Sequence, residues 1–153
     1  MYINETDVFL LGARKRPKNV TANYMISLDH DCFDKESKYI VGKIRSNFLG
    51  TIFNIFDSGK NPKNTNIIDE IRNQLGVVTY VIVTLIKEPH LFGFSGPKRM
   101  KVYLPEVENG KTLVYKASKD EEDNIHWKFK KCGDKKIKKY VNKAPEWSES
   151  IRI

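Results

Sequence analysis

The sequence predicts a mainly β, antiparallel fold of the sandwich or barrel type with one peripheral helix. Three observations predict it: many short runs rich in β-branched and aromatic residues, turn residues between those runs, and a single stretch whose apolar positions repeat at helical spacing. At 153 residues the chain fits one domain, 1–153, with a hydrophobic core of its own.

Val8-Phe9-Leu10-Leu11 is the first apolar run, and the basic, proline-containing Arg14 to Asn19 follows it. Asn23 to Leu28 reads as the next strand and the polar Asp29 to Lys38 as a loop. From Tyr39 to Arg45 the residues alternate, with Tyr39, Val41, Lys43 and Arg45 on one face and Ile40, Gly42 and Ile44 on the other. Thr51 to Phe56 is a further strand, ended by the turn-rich Asp57 to Lys63. The period then changes. Ile67, Ile68, Ile71 and Leu75 share one helical face, Asn66 suits an N-cap, and Gly76 suits a C-terminal stop, so a helix is expected there. Val77 to Ile86 reads as a well-buried strand. Lys98 to Leu104, Lys111 to Lys116 and Asn124 to Lys131 are the remaining strand candidates, the last placing Trp127 and Phe129 towards the core.

The chemistry the chain can carry is narrow. Its three histidines have no second paired ligand spacing. Asp29-His30-Asp31-Cys32 therefore reads as a solvated loop, and no metal or cofactor is expected. There is no nucleophile elbow, Walker loop or dinucleotide fingerprint. Phe92 to Pro97 reads as a tight aromatic turn, and Glu121 and Glu122 as part of a solvated loop. No catalytic constellation survives, which points away from an enzyme. Two cysteines are too few for a disulfide framework and suit a reducing compartment. Met1 to Leu11 carries Glu5 and Asp7 and no basic region, unlike a signal peptide. No run reaches the length of a membrane span.

Charge is the stronger signal. Lys and Arg number 27 against 19 Asp and Glu, a formal net charge of +8, which favours anionic partners: nucleic acid, an anionic membrane or an acidic protein. Lys43 and Arg45 leave one face of a strand about 6.6 Å apart, a spacing that suits two phosphates on one ring and equally suits a solvated outer face. Arg72 falls on the flank of the expected helix, where it could reach over a strand or simply snorkel. Arg14 to Lys18 and Lys128 to Lys139 form two further basic clusters.

Several ordered motifs then resemble those of the tubby-like protein family. Leu11-Gly12-Ala13-Arg14-Lys15-Arg16, Asn23-Tyr24-Met25-Ile26-Ser27, and above all Val41-Gly42-Lys43-Ile44-Arg45-Ser46-Asn47-Phe48-Leu49-Gly50-Thr51 look like family signatures. So do Phe53 to Pro62, Leu91 to Pro105 and Asn142 to Trp147. The resemblance implies an antiparallel β-barrel around a buried C-terminal helix, and binding of a phosphoinositide headgroup bisphosphorylated at positions 4 and 5. Asn23, Lys43, Arg45 and Arg72 are the positions that match the family's headgroup residues. It also implies a membrane-recruited adaptor in intracellular trafficking, cytoplasmic and peripheral at the plasma membrane, or nuclear. Protein cargo and nucleic acid are the alternative partners. No segment of the chain is apolar all round at helical length, so the central helix is expected to be absent and the domain incomplete at its C-terminal end.

Overall fold

A computed structural model of the chain describes residues 2–3, 8–82, 98–120 and 123–143. The strands are β1 (Tyr2–Ile3), β2 (Val8–Phe9), β3 (Gly12–Lys15), β4 (Asn23–Ser27), β5 (Ile40–Ser46), β6 (Ile52–Asp57), β7 (Asn73–Ile82), β8 (Lys98–Pro105), β9 (Val107–Glu108), β10 (Lys111–Thr112), β11 (Tyr115–Lys116) and β12 (Ile137–Val141). Seven of them form an antiparallel meander in the order β12-β8-β7-β6-β5-β4-β3. With β11, which pairs with the start of β7, the sheet has eight strands.

The fold is therefore mainly β and antiparallel, as the sequence predicts, but the barrel is not closed. Among the described residues β3 and β12 are open edges. Both are basic, with Arg14 and Lys15 on one and Lys138 and Lys139 on the other, and charged edges disfavour further pairing.

Directly paired residues share a face, so register sorts the side chains. One face carries Arg45, Asn54, Val77 and Tyr103 in a row across four strands. The short helix α1 (Ile125–Trp127), extended by a π-helical turn over Lys128–Cys132, packs on this face. Val77, Tyr103, Ile125 and Ile137 form the core there, with Ile52, Tyr115 and Phe129 against it. The other face carries Phe53, Val78, Val102 and Tyr140 in a parallel row.

Two elements differ from the sequence expectation. Ile67 to Leu75 is not a helix: only a 3-10 turn, Ile68–Glu70, forms, and Ile67 and Ile68 are exposed. Tertiary hydrogen bonds outcompete the helical spacing. Lys60 and Ile71 form a parallel bridge, the Asp57 carboxylate accepts from the Asn73 backbone at 2.9 Å and its amide at 2.7 Å, and Asn73 onwards joins the sheet. A bulge skips Leu75, so that Gln74 opposes Phe56 and Gly76 opposes Ile55. Conversely, Asn124 to Lys131 is helical, not a strand. The Asn124 side chain caps it by accepting from Trp127 N at 3.0 Å, and Gly133 ends it at φ 64°. Phe129 meets the core as expected, whereas Trp127 is exposed.

Lys98 to Leu104 is a strand as predicted, and Lys111 to Lys116 is split into two short ones. The expected turn at Phe92 to Pro97, the loop acids Glu121 and Glu122, the end of the Val77 to Ile86 run and the motif beyond Lys143 lie outside the described residues. The Asp29 carboxylate caps its own turn, accepting from Asp31 N at 2.8 Å and Cys32 N at 2.9 Å. Among the described residues no helix is long and apolar enough to cross a membrane.

Candidate functional site: a basic cavity at one end of the sheet

Strand pairing builds the site's base. Asn23 opposes Arg45 and Met25 opposes Lys43, so the two polar strands place Asn23, Lys43 and Arg45 on one face, the face that also carries α1. The β4–β5 end is clasped twice: Ser46 N donates to Ala22 O at 2.9 Å, and Ala22 N donates to Ser46 Oγ at 3.0 Å. The next strand adds Asn54 opposite Arg45 and Phe56 opposite Lys43.

Arg72 reaches the same place, from an extended segment instead of a helix flank. Its backbone is fixed on both sides: Arg72 N donates to Lys60 O at 3.0 Å and Arg72 O accepts from Ala117 N at 3.0 Å. Gly59 makes this approach feasible, because a Cβ there would overlap the Arg72 backbone, 2.6 Å from its nitrogen. The Arg72 guanidinium then lies 4.0 Å above the Phe56 ring and is buried.

A cavity of about 700 Å³ opens over these residues. Arg16, Arg45 and Arg72 bring the positive charge, and Asn19, Asn23, Asn47 and Asn54 bring amides. Asp120 and Asp123 also line it. Lys43 stands two register pairs from Arg45 on the same strand face, outside the cavity wall. Burial depresses its pKa first, followed by the charges of Arg72, Arg45, Lys35 and Arg16. Four cations thus lie close enough to disfavour the charge on Lys43. Arg45 Nε is buried and meets no hydrogen-bond acceptor among the described residues. An anion of several negative charges, with oxygens to accept from these donors, is the chemical complement of such a site.

All four residues singled out from the sequence are brought together. Asn23, Arg45 and Arg72 line the wall and Lys43 stands beside it; Arg16, Asn54 and Gln74 also belong to the wall and were not singled out. Arg16 read only as part of a loop-borne cluster. Asn54 has a signal of sorts, a polar residue inside Ile52–Phe56, but its alignment with Arg45 needs the strand register. Gln74 faces the cavity only because of the bulge. There its amide nitrogen donates to Asn54 Oδ1 at 2.7 Å and its amide oxygen accepts from Ile125 N at 2.8 Å, tying the cavity floor to α1.

Comparison with known proteins places the chain in a family. The family model described as Tub family matches residues 1–153. The chain is 38% identical to "Tubby-related protein 2" of Mus musculus over 92% of its length, and 37% identical to "Tubby protein homolog 1" of Caenorhabditis briggsae over 95%. To "Tubby protein homolog 1" of Caenorhabditis elegans it is 43% identical over 66%. It spans 24%, 34% and 22% of the length of these relatives. A family match over the whole chain, with relatives above 30% identity, shows that the chain belongs to the Tub family.

Proposed function

We propose that the basic cavity binds the headgroup of a phosphoinositide, of the 4,5-bisphosphate type that the family resemblance implies, and so recruits the protein to an anionic membrane leaflet as an adaptor. The observation that carries this reading is the convergence of Arg16, Lys43, Arg45 and Arg72 from three separate parts of the chain, beside a wall of amides. In this reading the arginines bracket phosphate oxygens, Lys43 supplies a point charge, and Asn23 hydrogen-bonds the ring. The cytoplasmic face of the plasma membrane is the corresponding location, and protein cargo would bind elsewhere on the surface.

The nucleic-acid alternative rests on the cluster from Lys128 to Lys139. There Lys138 pairs with Glu106 at 2.8 Å, and Lys128 and Lys136 lie 3.5 Å from Asp123 and Glu108, which lowers the charge available to a phosphate backbone.

Flotation with vesicles containing or lacking phosphatidylinositol 4,5-bisphosphate tests the proposal. Lipid-dependent flotation is expected, reduced about tenfold or more in a Lys43→Ala, Arg45→Ala chain. Equal flotation of the substituted chain would overturn it.

A further inference from the structure

Beside the cavity, the chain holds apolar side chains out to water. Val20, Phe48 and Leu49 are 90%, 82% and 76% exposed, the three most exposed large apolar residues among those described. They come from two loops, 16–22 and 47–51, that leave the same end of β4 and β5. The Ala22–Ser46 clasp joins these loops at their bases. Both loops contribute to the cavity, Asn19 and Thr21 from one, Asn47 and Phe48 from the other.

The second tip is a built turn. Gly50 N donates to Asn47 O at 3.1 Å, and Gly50 takes φ 65°. The Asn47 side chain oxygen accepts from Thr51 N at 2.9 Å and Ile52 N at 3.0 Å, while its amide donates to Thr51 Oγ1 at 3.0 Å. These four hydrogen bonds hold Phe48 and Leu49 outward. On the first loop, Lys18 is exposed two residues before Val20.

We infer that the Val20 and Phe48-Leu49 tips enter the boundary between headgroups and acyl chains of the leaflet whose anionic headgroup occupies the cavity. The occupant is a lipid surface because of what surrounds the tips. An apolar point next to a cavity for a polyanion, flanked by Arg16 and Lys18, matches a leaflet that is anionic outside and apolar a few ångströms in. Preformed tips lose little conformational freedom on entry. The inference rests on the headgroup reading and adds a second, apolar contact that a headgroup alone does not supply.

Two ligands separate the two claims: soluble inositol 1,4,5-trisphosphate, read by calorimetry, and vesicles of phosphatidylcholine, phosphatidylserine and phosphatidylinositol 4,5-bisphosphate. A Val20→Asn, Leu49→Asn chain is expected to bind the soluble trisphosphate within about twofold of the unsubstituted chain and the vesicles about tenfold or more weakly. In a Leu49→Trp chain, acyl-brominated phosphatidylcholine in those vesicles is expected to quench emission beyond any loss from Trp127 and Trp147 in the unsubstituted chain. Vesicle binding within twofold, or no added quenching at position 49, overturns the insertion and leaves the headgroup reading standing. Equal loss of both ligands places the tips in the cavity's own structure and also overturns it. Failure of the unsubstituted chain to bind either ligand defeats the headgroup reading, and the insertion with it.

Discussion

Lys43 shows what a cluster of cations does to the chain that carries it. Its charged form is disfavoured, first by burial and then by Arg72, Arg45, Lys35 and Arg16. A lysine whose folded-state pKa is depressed contributes least to stability while it is charged, so stability rises as pH climbs through that depressed value. Replacing the charge with an unbranched apolar chain removes the penalty at neutral pH. Lys43→Met is therefore expected to raise the melting temperature of the unliganded chain by about 2 °C while weakening vesicle binding. Thermal unfolding in phosphate-free buffer checks it, and a lowered melting temperature would show that the repulsion is too weak to matter. Lys43 and Arg45 were legible as a pair from alternation alone. Arg72 was legible as a candidate but for the wrong local reason, since its position comes from Gly59, Lys60 and Ala117 and not from a helix.

At the scale of elements, alternating segments were read well and helical ones were not. Ile40–Ser46 and Ile52–Asp57 lie within a residue of their expected bounds because strand period and burial agree there. Ile67 to Leu75 has helical spacing by coincidence: three of its four apolar residues, Ile67, Ile68 and Leu75, are exposed, and Leu75 is skipped by the bulge. Asn124 to Lys131 has strand spacing by coincidence, and the overlooked signal was punctuation, with Asn124 before the run and Gly133 after it. This helix also carries a pH dependence. His126 lies 4.8 Å from the Tyr103 ring, and burial lowers its pKa from 6.5, helped by Lys130 and Lys101. The unfolded chain takes up this proton first, so stability is lost as pH falls from 6.5 through the depressed folded value. Below pH 6.5 the melting temperature is expected to fall more steeply for the native chain than for His126→Phe. Parallel curves for the two chains would remove His126 as the cause.

Across the whole molecule, the family motifs implied an antiparallel barrel; the antiparallel sheet forms, but it is open at its edges, and its two faces divide the labour. One face holds the helix and the cavity; the other carries the row Phe53, Val78, Val102 and Tyr140. Which side chain serves which face depends on the residue count between pairing points, information that is global and invisible to any local window.

The bulge at Leu75 gives that count an unusual property. In an ordinary strand the loss of one residue turns everything beyond it inside out. Here Gln74 and Gly76 already oppose the neighbours Phe56 and Ile55, so excising Leu75 leaves both partners, and both faces, where they are. The position works as a slack link in an otherwise phase-locked ladder. A chain lacking Leu75 is expected to melt cooperatively, as followed by circular dichroism, whereas one lacking Val78 is not. If both deletions abolished the transition alike, the slack would not exist. If it does exist, one-residue length differences among members of the family have a place to accumulate without inverting the sheet.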